Sequence, residues 1–202
     1  MKVRQFNIKW VNKMDHTDKY QKTERQIEDA LLKLVQEKTF NQITVRDLTD
    51  TAKVGRSTFY EHYYDKYELL DNMVDRYSNL FAKVLSDRFD KQKVENLTAE
   101  SLEEIVDQLA QNRYAIVILL HLDVEGSNLS YNFRSVLRAA VQESLFTAEY
   151  AQNTGVPSEY LNELYTNIAY TQIEWQLEQG KNQRIVDLSN KLIKMYRTDL
   201  DD

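Results

Sequence analysis

Residues 56–66 read RSTFYEHYYDK and hold the side chains of this chain best suited to chemistry. On a short helix, Arg56, Ser57, Thr58 and His62 can point outward, while Phe59 and Tyr63, four apart, face the core. Short polar groups on a helix that fits the major groove can reach base edges. Tyr60 adds a hydroxyl on a rigid ring. Lys66 falls in the first turn of the next helix, where its ammonium and the free N–H groups together favour a phosphate. Thr44 and Arg46 open the preceding helix and are placed to hold the other side of the groove. Such backbone contacts fix the docking angle, and base contacts choose the sequence. Phe59, Tyr60 and Tyr63 would equally serve as the aromatic core of any three-helix cluster, so taken alone they leave the question open.

The flanking pattern supplies elements to position these groups. From Lys19 to about Lys38, Ile27, Ala30, Leu31, Leu34 and Val35 recur as one helical stripe. FNQIT interrupts it. Thr44 can then cap a short helix, with Asp47 three residues on as its capping-box partner and Val45, Leu48 and Ala52 inward. A break at Lys53–Gly55 leads into the helix of residues 56–63, which completes the outline of a helix-turn-helix. Asp65 can cap a long helix over residues 66–87 with Leu69, Leu70, Met73, Val74, Tyr77, Leu80, Phe81, Val84 and Leu85 on one stripe. Residues 1–16 have no clear period; with Lys2, Arg4, Lys9 and Lys13 they form an ordered arm or a partly disordered tail.

Composition narrows the class. The 202 residues are 42% hydrophobic and 29% charged, with no cysteine, one proline and four glycines. No disulfide, zinc–thiolate site or thiol nucleophile can form. So little punctuation disfavours sandwiches and barrels and favours long helices. The longest apolar run, Ala115–Leu120, is far too short to span a membrane, and the N-terminus lacks a signal peptide's apolar centre. A cytoplasmic protein is expected. Residues 1–66 carry 13 Lys/Arg against 10 Asp/Glu, and the rest 13 against 22, so a net +3 third sits on an acidic body. Beyond residue 98, helices are expected at about 98–109, 114–122, 129–153, 159–179 and 183–197, with Thr98 and Ser158 as caps. The fold class is all-α, about nine helices, with no internal repeat.

The string ITVRDLTDTAKVGRSTFYEHYYDKYELL, residues 43–70, resembles the DNA-binding domain of TetR-family transcriptional regulators, and clear resemblance covers residues 20–70. It implies an N-terminal arm at 1–16, a three-helix helix-turn-helix domain at 17–66 and a larger helical ligand-sensing and dimerisation domain at 67–202. Thr44, Tyr60 and Lys66 would be phosphate contacts, and Arg56, Ser57, Thr58 and His62 would lie nearest base edges. Two positions depart from the family. Lys53 stands where a glycine is usual, at a site that often needs positive φ, for a cost of about 1 kcal/mol. Gly55 replaces the usual Ser or Thr cap.

In the body, the resemblance implies a dimer through the last two long helices, with Tyr165, Ile168, Trp175, Ile185, Leu192 and Tyr196 as contacts. Packing within one subunit is the alternative for all six. An effector pocket would use Tyr114, His121, Tyr131, Phe133 and Arg138. Catalysis finds no support: His16, His62 and His121 lie far apart, phosphate loops and nucleophile elbows are missing, and His121 with Asp123 is too sparse for a metal. No cofactor is expected. The expected protein is a homodimeric DNA-binding regulator with an operator and a small-molecule effector as partners, a repressor in preference to an activator. The alternative is a protein-interaction module that has lost specific DNA binding, suggested by Lys53, Gly55, Glu61 and the net charge of −6.

Overall fold

The structure, a computed structural model, describes residues 4–91, 99–142, 151–152 and 155–198, and side chains within 18–87, 102–142, 151–152 and 155–192. The chain divides into two compact units, Met1–Met73 and Val74–Asp202. Among the described residues the regular structure is helical, and the one β-type pairing is an isolated bridge between Val124 and Ser127.

In the first unit, helix α1 runs Arg4–Glu37 without a break. It begins well before Lys19, because neither glycine nor proline interrupts residues 4–37 and good helix formers fill them. The arm expected at residues 1–16 is therefore helical backbone from Arg4 onward. Ile27, Ala30, Leu31 and Leu34 are buried, as the stripe requires. A 3-10 turn, Phe40–Gln42, ends in extended backbone at Ile43 and buries both Phe40 and Ile43. Helix α2, Val45–Ala52, packs on α1, and α3, Arg56–His62, packs on α2. Helix α4, Lys66–Lys91, opens in this unit, and the division at Met73 falls within it. Asp65 caps α4 as expected: its Oδ1 accepts from the N–H groups of Tyr67 and Glu68 at 2.8 and 2.9 Å. Glu68 in turn accepts from the N–H of Tyr64, the residue before the cap.

The second unit is built around one helix. Helices α5 (Ala99–Leu109), α6 (Arg113–Leu120) and α7 (Leu129–Gln142) all pack on α8 (Ser158–Gln179), and so does α9 (Gln183–Thr198). The apolar run expected as a helix at about 114–122 is helix α6, with Ala115, Ile116, Leu119 and Leu120 buried. Phe81 and Phe133 stack in the core at 4.0 Å between ring centroids. Gly180, at φ 86°, ends α8, and Asn182 starts α9 by accepting from the Arg184 N–H at 3.0 Å. Ser158 does not cap α8; Pro157 occupies that position and makes no side-chain cap bond. Thr98, and Ser144, Leu145 and Ala148 of the expected helix 129–153, lie outside the described residues.

Candidate nucleic-acid interface

Helix α3 is two-sided. Its inner face carries Phe59, fully buried, and the chain leaves it at the buried Tyr63, whose hydroxyl donates to Glu28 of α1 at 3.4 Å. Phe59 and Tyr63 sit 5.9 Å apart by ring centroid, the i, i+4 pair that the sequence spacing sets up. Its outer face exposes Arg56, Ser57 and Glu61, half-exposes Thr58 and leaves Tyr60 52% exposed. Gly55 is the N-cap, extended at φ −72° and ψ 153°, with no side chain to bond the first N–H groups. Lys53 ends α2 in the left-handed region at φ 57°, the strained turn expected there.

At the head of α2, Thr44 and Asp47 form the expected reciprocal cap. Asp47 Oδ2 accepts from the Thr44 N–H and hydroxyl at 2.8 Å each, and the Thr44 hydroxyl accepts from the Asp47 N–H at 3.2 Å. Lys38, just past the end of α1, adds an ion pair to the same oxygen at 2.8 Å. The Lys38 ammonium and the two Thr44 donors hold the Asp47 carboxyl well below the usual carboxylate range. Arg46 projects outward, mostly exposed, 3.6 Å from Asp50 one turn on.

Two expectations change. Lys66 is turned inward: its Nζ donates to the carbonyls of Phe40, Asn41 and Ile43 at 2.9, 3.0 and 2.8 Å, and lies 4.9 Å over the Phe40 ring. All three ammonium protons are thus committed to the turn ahead of α2, and none is left to meet a phosphate. Burial pulls its pKa below the ordinary lysine value, against an opposing pull from Asp65. His62 also faces inward. Its ring stacks on Tyr20 of α1 at 3.9 Å, and its Nδ1 is buried without a partner among the described residues. At the last position of α3 the side chain lies over α1. Sequence reading missed Tyr20 and Glu28 of α1 and Lys38 just beyond its end, which brace the motif. The partners lie far apart in the chain, and no local pattern joins them.

In the second unit, the five residues expected to line an effector pocket differ in exposure and in partners. Tyr114 and Tyr131 are 56% and 68% exposed. Phe133 is spent in the core stack on Phe81. Arg138 forms a two-pronged pair with Glu163 at 2.6 and 3.1 Å, and His121 Nε2 meets Glu178 Oε1 at 2.6 Å. Of the six residues expected at a dimer contact, Ile168, Trp175, Ile185 and Leu192 line one apolar groove of about 400 Å³ between α8 and α9. Tyr165 is instead buried in its own subunit, because its position on α8 faces the neighbouring helices of the unit. The side chain of Tyr196 lies outside the described set. No helix among the described residues is long and apolar enough to cross a membrane.

The comparisons agree with this geometry. Residues 27–73 match the model for bacterial regulatory proteins of the tetR family. The chain is 30% identical over 66 residues to an uncharacterised HTH-type transcriptional regulator, YxbF, of Bacillus subtilis. It is 35% identical over 68 residues to DhaS, an HTH-type dhaKLM operon transcriptional activator of Lactococcus lactis. These alignments cover 33% and 34% of this chain, and only 17% and 35% of those proteins' own lengths. A TetR transcriptional regulator from Streptococcus agalactiae superposes with a TM-score of 0.56 at 26% identity, over 89% of this chain and 98% of the other. A TetR-family protein from Syntrophomonas wolfei shares the fold with a TM-score of 0.57 at 17% identity, over 86% and 94%. Residues 27–73 thus match the helix-turn-helix domain of tetR-family regulatory proteins, and the all-α fold around them is that of TetR-family structures.

Proposed function

We propose that the chain is a sequence-specific, DNA-binding transcriptional regulator, acting in the cytoplasm as a homodimer under the control of a small-molecule effector. One observation carries the reading. Helix α3 is anchored by Phe59 on one face and presents Arg56, Ser57, Thr58 and Tyr60 on the other. Arg56, Ser57 and Thr58 would read base edges, while Tyr60, Thr44 and Arg46 would hold phosphates on either side of the groove.

One such helix reads only a few base pairs, so useful specificity takes two of them, spaced roughly 34–36 Å apart on a symmetric dimer. The half-exposed apolar groove of Ile168, Trp175, Ile185 and Leu192 favours a second copy as its occupant. An effector would shift the dimer between spacings by its differential affinity for them. Repression is the expected direction, although the Lactococcus relative is named as an activator.

The test is fluorescence anisotropy with labelled DNA from upstream of the protein's own gene, against a shuffled control, at two salt concentrations. The proposal requires sequence-dependent binding with two subunits per site. Equal binding to both DNAs would move the reading to a protein-interaction module on the same fold. A reporter fused to the bound promoter then reads the sign of regulation.

A further inference from the structure

One face of α8 is a polar seam. Glu163 pairs with Arg138, and Asn167 accepts from Arg134 at 2.7 Å. Tyr170 bonds Ser130 at 2.8 Å and donates to Glu174 at 2.7 Å, and Glu178 meets His121. The last turn of this seam differs from the rest. Glu174 and Glu178 stand one turn apart, where like charges repel, and a ring nitrogen of His121 lies within 4.8 Å of a carboxylate oxygen of each. Nearby cations are engaged elsewhere. Arg113 donates to the carbonyls of Leu177 and Glu178, Arg134 lies 3.7 Å over the Tyr170 ring, and Lys181 pairs with Asp107 at 2.8 Å.

We infer that His121, Glu174 and Glu178 form a binding site for a divalent transition cation, with zinc as the reference ion. One donor atom from each residue lies within 4.8 Å of the other two. A tetrahedral ion with ligand bonds of about 2.0–2.2 Å spaces its donors by about 3.3–3.6 Å. The partly or largely exposed side chains reach that spacing by shifts on the order of 1 Å. An imidazole nitrogen with two carboxylates suits zinc, nickel or cobalt; magnesium and calcium prefer all-oxygen sets. The Tyr170 hydroxyl donates to Glu174 at 2.7 Å and orients that carboxylate as an outer-shell partner would. Two helices supply the ligands: His121 is the C-cap of α6, and both glutamates are on α8. A bound ion would tie these helices together within the unit and keep a position open for water or a small ligand. The site does not depend on how the first unit is used.

The experiment titrates zinc into the untagged full chain by calorimetry and follows histidine side chains by nitrogen-15 NMR. With only His16, His62 and His121 in the sequence, assignment is simple. The expected result is saturable binding of one ion, a shift of the His121 ring alone, and affinity at least about tenfold weaker in His121→Ala and Glu178→Gln. Glu174→Gln gives a second carboxylate test, and far-UV circular dichroism confirms that each variant folds. Absence of saturable binding would overturn the site. So would a shift confined to His16 or His62, equal affinity in the variants, or displacement of zinc by equimolar magnesium.

Discussion

Replacing Lys66 with methionine keeps an unbranched apolar stem and removes the ammonium. Nζ makes three charge-assisted bonds, two of them to the half-buried Phe40 and Ile43 carbonyls and one to the exposed Asn41 carbonyl. Water replaces the exposed bond at little cost. Each half-buried bond is worth about 1.5 kcal/mol, the low end for a charged donor, which gives about 3 kcal/mol. Relief of the ammonium's desolvation offsets part of this, leaving about 2 kcal/mol. Urea unfolding of Lys66→Met should show that loss in the transition of the helix-turn-helix unit.

The turn it clamps ends at Ile43, one residue before Thr44, so α2 loses its fixed entry. Affinity for every DNA should then fall by roughly tenfold, the equivalent of 1.4 kcal/mol. The dependence of log K on log salt should keep its slope, because no phosphate contact is lost. A lysine on a phosphate would instead lower that slope by about 0.9. Lys66→Arg should rescue only in part, since a planar fork cannot aim at three carbonyls grouped around one ammonium. A wild-type unfolding curve together with a slope reduced by about one would refute the clamp and return Lys66 to the DNA.

Further outcomes are expected around the same motif. Asp47 has a carboxyl pKa lowered by folding, so its contribution is full above its unfolded value near 3.8 and fades as pH falls towards the lower folded value. The gap in melting temperature between wild type and Asp47→Asn should therefore be present at pH 7 and narrow steadily below pH 3.8; a gap constant with pH would contradict the cap and ion pair. Lys53→Gly should raise stability by about 0.5–1 kcal/mol in chemical denaturation by relieving the left-handed backbone, and a loss would show that the lysine side chain matters there. Tyr60→Phe should weaken binding to all DNAs alike in anisotropy titrations. Arg56→Ala should reorder preferences among operator variants, and a uniform loss would remove Arg56 from base reading.

Much of the motif was legible because its determinants are local. The Thr44–Asp47 and Asp65–Glu68 caps each span three residues, the Phe59–Tyr63 pair spans four, and the strain at Lys53 belongs to one residue. Helical periodicity likewise placed the stripes of α1 and α4, whereas α6, apolar all round, was expected as a helix because the chain offers no second strand to pair with it. At this range sequence separation nearly equals spatial separation, and helix geometry alone decides who meets whom.

What the local pattern could not decide was the partner of each long polar or aromatic side chain. Lys66 reaches carbonyls 23 to 26 residues earlier, His121 meets a glutamate 57 residues later, and Arg138 one 25 residues later. His62 was expected on the outer face of its helix, and the stack on Tyr20 drew it inward. Helical phase says only that a side chain points outward from its own helix. Whether it finds solvent, a carbonyl or a ring depends on how the next helix is laid against it. Tertiary packing made that choice, separating the exposed Arg56 and Tyr60 from the inward Lys66 and His62, and gathering His121, Glu174 and Glu178 at one end of α8.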